Sequence, residues 1–90
     1  MKIIKVIYND STSFILDILS SIKEVKYFEK YNIDDYKQKK KALPIMVRHG
    51  TKEVPLIVFE DENLQEISAI WNESKPNWVE TIQKEFDKDR

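Results

Sequence analysis

The residues able to do chemistry in this ninety-residue chain are few, and the most reactive kind is missing. There is no cysteine. Disulfides, thiolate catalysis and sulfur-ligated zinc are therefore excluded. The single histidine, His49, has no metal-ligating neighbour at a useful spacing and is expected to serve as a surface or capping residue. The hydroxyl cluster Ser11, Thr12 and Ser13 follows Asp10 and precedes Phe14, with no base nearby in sequence to activate it. Glu60, Asp61 and Glu62 could attract a cation, but they lack the ligand spacing and the glycine of a calcium loop. The lysine-rich run KQKKK (37–41) could meet phosphate through its charge alone. Aromatic interleaving is absent and the net charge is −1, so the run is expected to be a solvated helix face and nucleic acid is not an expected partner.

Charge is nevertheless uneven along the chain. Seven lysines stand against four acids between residues 23 and 41, and nine acids against four bases between 60 and 90. Two helix faces of opposite sign would account for this, as would a polarised interaction surface. Hydrophobic residues make up 41% and charged residues 34%, which suits one folded domain over residues 1–90. No apolar stretch is long enough to span a membrane. The opening MKIIKVIYND reads as a strand rather than a signal peptide, so a cytoplasmic location is expected.

The elements that would position these residues follow from patterning. Ile3, Ile4, Val6, Ile7 and Tyr8 form a dense apolar run that suits a strand buried on both faces. Phe14, Ile15, Ile18, Leu19 and Ile22 recur at helical spacing, with Ser11 or Ser13 as the cap. From this set, Phe14, Ile18 and Ile22 are expected to pack on the first and third strands. Residues 25–33 read as a second strand, and Asp34 or Asp35 opens a second helix. Pro44 is expected to break or kink that helix, and Gly50 to end its last piece with a left-handed turn. Residues 55–60 form a third strand and 61–63 a tight turn. Residues 64–71 read as an antiparallel fourth strand, although Leu64, Ile67, Ile70 and Trp71 also fit a helix. Asn77 with Glu80 marks the start of a last helix whose apolar face is Trp78, Val79, Ile82 and Phe86.

The order is β-α-β-α-β-β-α, and three segments carry a family likeness: KYNID (30–34), HGTKEVPLIVF (49–59) and SKPNWVETIQKEF (74–86). In order and spacing they resemble the thioredoxin-like superfamily, the thioredoxins and glutaredoxins. The resemblance implies an α/β fold with a four-stranded mixed sheet and helices on both faces. It also implies a cis bond between Val54 and Pro55. In redox members a Cys-x-x-Cys motif opens the first helix, where the helix dipole lowers a thiol's pKa. Ser11, Thr12, Ser13 and Phe14 occupy that place here, so thiol–disulfide oxidoreductase activity is not expected. The expected role is a cysteine-less adaptor that binds a protein through the former active-site edge: Asp10, Ser11, Thr12, Ser13, Phe14, Val54, Pro55 and Trp71. No cofactor is expected. An alternative comes from the glutathione-transferase branch. VP (54–55) with ENLQEISAI (62–70) resembles its glutathione-binding strand, which would assign Val54, Glu66 and Ser68 to glutathione, with the serine displaced by one position.

Overall fold

The fold was read from a computed structural model that describes residues 3–61, 63, 65–70 and 77–87. Strand β1 (Ile3–Tyr8) runs into a short 3-10 turn over residues 10–12 and then helix α1 (Phe14–Ser21). Strand β2 (Phe28–Asn32), helix α2 (Tyr36–Arg48), strands β3 (Leu56–Glu60) and β4 (Glu66–Ile70), and helix α3 (Trp78–Asp87) complete the order. The sheet order is β2-β1-β3-β4, with β1 parallel to β2 and antiparallel to β3, and β3 antiparallel to β4.

The two central strands carry the dense apolar runs because both of their faces are covered. Ile4, Val6, Tyr8, Ile57, Phe59 and Ile70 join α1 and α3 in one core layer. Ile7, Leu56, Val58 and Ala69 meet Ala42, Ile45 and Met46 of α2 on the other. Helices thus cover both faces, as expected.

Several local expectations need correction. The first helix is not capped by Ser11 or Ser13; no side chain of Ser13 caps it. Instead Asn9 caps the preceding 3-10 turn reciprocally with Thr12. Within α1 the buried stripe is Ile15 and Leu19, continued by Ile22, while Ile18 is only partly buried. Phe14 is 46% exposed, because one residue of helix turns a side chain by about 100° away from the Ile15 stripe. Val79 is likewise exposed on α3, whose covered face is Trp78, Ile82 and Glu85, with Phe86 half-buried. Strand β2 is shorter than the aromatic-rich run of residues 25–33.

Pro44 does not divide α2, which is one helix from Tyr36 to Arg48. Proline there removes one backbone bond, to the carbonyl of Lys40. Both residues lie on the exposed side of the helix, where water can take the vacated carbonyl. The two ends of α2 are as expected. The Asp35 carboxylate accepts from the N–H groups of Lys37 (2.9 Å) and Gln38 (3.4 Å). At the other end Gly50 takes φ +64°, its N–H bonds the Val47 carbonyl and that of Thr51 the Met46 carbonyl, the paired bonds of a Schellman stop. The α3 start is also as expected, with Glu80 N–H donating to Asn77 Oδ1 at 3.2 Å. Leu64, Glu62 and Trp71 lie outside the described residues.

Candidate functional site

The loop after β1 and the lead into β3 lie at the same end of the sheet. Ile7 stands opposite Leu56 in the antiparallel register, and continuing that register by one residue sets Tyr8 beside Pro55. The loop itself is held by local bonds that follow from its residue types. Asn9 N–H donates to Thr12 Oγ1 and Thr12 N–H to Asn9 Oδ1, each at 2.9 Å. Ser13 Oγ donates to the Asp10 carbonyl at 3.1 Å. A second set ties this loop to the end of β2: Asp10 N–H donates to Asp34 Oδ2 (2.8 Å), and Asn32 Nδ2 donates to Asp10 Oδ1 (3.0 Å).

The hydroxyls of Thr12 and Ser13 are thus used in shaping the backbone, and Ser11 is exposed. No basic side chain among the described residues bonds any of the three. His49 lies at the opposite end of the sheet, as the C-cap residue of α2, with Nε2 2.9 Å from Glu66 Oε2. The loop's hydroxyls thus fix its own turns, Thr12 through Asn9 and Ser13 through the Asp10 carbonyl.

Val54 and Pro55 are partly and fully buried respectively, and the bond between them is cis. Upstream, Glu53 N–H donates to Thr51 Oγ1 at 3.0 Å. The peptide groups of Val54 make no hydrogen bond to another described residue. Such groups offer a donor and an acceptor to an incoming chain. Of the proposed edge, Asp10, Ser11, Thr12, Ser13 and Phe14 follow the end of β1, and Val54 and Pro55 precede the start of β3, at the same end of the sheet. Trp71 falls outside the described residues.

The glutathione set is not brought together. Val54 precedes the start of β3, whereas Glu66 pairs with Glu60 at its far end. A β-bulge between Phe59 and Glu60 on one strand and residues 66–68 on the other adds one residue to β4. Alternation is thereby reversed, and Glu66 and Ser68 fall on opposite faces. Glu66 bonds Arg48 and His49 on the α2 side. Ser68 Oγ donates to Glu85 Oε2 of α3 at 2.7 Å. Sequence reasoning missed both pairings, since nothing in local spacing links residues 17 or 18 positions apart.

A further polar group lies on the α2 face, where Tyr31 Oη donates to Glu29 Oε2 at 3.2 Å. Burial raises the Tyr31 pKa above the ordinary phenol value, with the charges of Glu29 and Glu60 adding to the effect. The folded chain then holds this proton more tightly than the unfolded one. The associated stability is complete below the unfolded pKa of about 10 and is lost as pH rises through the folded value. Denaturant melts from pH 9 to 11.5 should show a steeper alkaline loss for the native chain than for Tyr31→Phe. Equal slopes would contradict the assignment.

No family profile matches the chain, and no curated protein matches it. Solved structures do. A thioredoxin from Thermus thermophilus superposes with a TM-score of 0.61 at 13% identity, covering 98% of this chain and 72% of that one. A DsbH oxidoreductase superposes with a TM-score of 0.57 at 12% identity, covering 96% of this chain and 72% of its own. At that identity the likeness is one of architecture, and with the strand order above it shows that this cysteine-free chain has a thioredoxin-like fold.

Proposed function

We propose that the chain is a non-redox, thioredoxin-like binding domain that takes an extended protein segment at the end of the sheet where residues 10–14, Val54 and Pro55 lie. The observation that carries this reading is that the peptide groups of Val54 make no hydrogen bond to another described residue, at the end of the sheet where the hydrogen-bonded loop of residues 9–13 also lies. An extended segment can pair with that peptide through main-chain hydrogen bonds, a mode that needs no thiol. Phe14, at 46% exposure, supplies an apolar contact at the same end of the sheet, where a redox relative would place sulfur chemistry.

Linear peptides selected by display against the folded chain provide the test. Their footprint on the isotope-labelled protein should centre on the amides of residues 9–14 and 53–56. Phe14→Asp should weaken the selected peptides by about tenfold or more, the scale expected for loss of an anchoring aromatic. Footprints elsewhere on the surface would overturn the reading. So would saturable shifts at Val54, Glu66 and Ser68 on adding reduced glutathione, or activity in an insulin-reduction assay.

A further inference from the structure

Helix α2 buries only Ala42, Ile45 and Met46, and its outer side is unusual for a solvated face. Tyr36, Leu43 and Val47 are 72%, 43% and 76% exposed. With Lys40 they follow the spacing 4-3-4, which sets all four along one line of the helix, as in the seam of a two-stranded coiled coil. Lys40 stands over the Tyr36 ring at 4.6 Å, within this line. In heptad terms Tyr36 and Leu43 occupy d, Lys40 and Val47 occupy a, and Lys37 and Lys39 fall at the flanking e and g positions.

The helix contains five basic residues and no acid. Arg48 is paired with Glu66, whereas Lys37, Lys39, Lys40 and Lys41 meet no carboxylate among the described residues. An apolar seam bordered by lysines fits one kind of occupant. We propose that the outer face of α2 docks an acidic amphipathic helix of another protein, with apolar residues at its own a and d positions and Glu or Asp flanking them. The partner's acids would neutralise Lys37 and Lys39, and Lys40 would set the register, a role that single polar a positions perform in coiled coils. This surface is separate from the end of the sheet discussed above.

The same observations disfavour other occupants. A second copy pairing through α2 would oppose lysine to lysine along the whole seam. A nucleic acid would meet an apolar strip where phosphate contacts are needed, on a chain of net charge −1. The strip is three residues wide at most and carries no Trp or Phe, less than a membrane-surface helix presents.

The probe is a synthetic four-heptad peptide with leucine at a and d and glutamate at e and g, whose self-repulsion keeps it from pairing with itself. Added to the isotope-labelled chain, it should shift amides within residues 36–48 and leave residues 9–14 unmoved, with affinity falling as salt is raised. The paired substitution Leu43→Asp with Val47→Asp, at exposed positions that leave the core intact, should lower affinity by about tenfold or more. A matched peptide with lysine at e and g should not bind. The proposal is overturned if the acidic peptide leaves residues 36–48 unshifted, or if the lysine peptide binds as well. It also fails if phosphatidylserine vesicles or duplex DNA occupy these residues in its place, or if sedimentation shows that the chain dimerises through them.

Discussion

Replacing Phe59 by alanine should cost about 3–5 kcal/mol of folding stability, the range for an emptied aromatic core site. Phe59 is fully buried near the end of β3, on the face covered by α1 and α3. Its ring meets Phe86 of α3 edge to face, with centroids 6.1 Å apart and an interplanar angle of 84°. The substitution therefore removes both the packing of a central strand and the contact that docks the last helix. Single domains have roughly 5–15 kcal/mol in all, so the variant would retain only a fraction of its stability. A urea melt followed by far-ultraviolet circular dichroism measures the loss directly. Phe86→Ala alone should cost less, since that ring is only half-buried, and the double variant should reveal a coupling of about 0.5–1.5 kcal/mol from the aromatic pair. Phe14→Ala supplies the contrast. Its exposed ring should change stability by about 0.5 kcal/mol or less, typical of surface positions. A Phe59 loss no larger than the Phe14 loss would mean that the strand faces are misassigned.

That contrast also shows what could be read before any fold was known. Dense apolar runs marked β1 and β3 because a strand covered on both faces has no polar side to alternate with. Asp35 and Gly50 marked the ends of α2 because a carboxylate at an N-cap and a left-handed turn at a stop each have a local cause. The end of the sheet formed by residues 10–14 and 54–55 was likewise legible, from strand order and the position of Pro55. What escaped was decided between elements. Phe14 has the composition of a core residue, but the packing of α1 on the sheet decides that the neighbouring Ile15 stripe faces inward. Glu66 and Ser68 share a face in any unbroken strand, and the one-residue bulge in β4 separates them. Pro44 has a breaker's chemistry, and the side of the helix it occupies determines whether the break occurs. His49 and Glu66 meet because α2 runs back along the sheet to the far end of β4, a contact that no short window contains.

A single charge should matter almost as much as an aromatic ring. Glu60 ends β3 with its side chain 5% exposed, and Lys5 of β1 reaches it at 3.3 Å with 24% exposure. Glu60 also stands directly across from Glu66 in the β3–β4 pair, an arrangement in which like charges repel. The fold gives each carboxylate its own cation, Lys5 for Glu60 and Arg48 for Glu66, and His49 Nε2 also lies 2.9 Å from Glu66 Oε2. Lys5→Met would leave Glu60 both buried and repelled by its neighbour. The expected cost is toward the lower end of the roughly 3–5 kcal/mol found when one partner of a buried pair is removed, because Lys5 keeps some contact with water. Glu60→Gln should cost less. The lysine it strands has a flexible stem and can extend its ammonium into solvent, and the cross-strand repulsion disappears with the charge. The double variant Lys5→Met with Glu60→Leu should recover most of the loss, since an apolar pair avoids the desolvation of both ions. Urea melts of the three variants at neutral pH give the order directly. If Glu60→Gln is as costly as Lys5→Met, or if the two changes simply add in the double variant, then the pair is not what holds the buried end of β3, and its packing against α2 must carry that role instead.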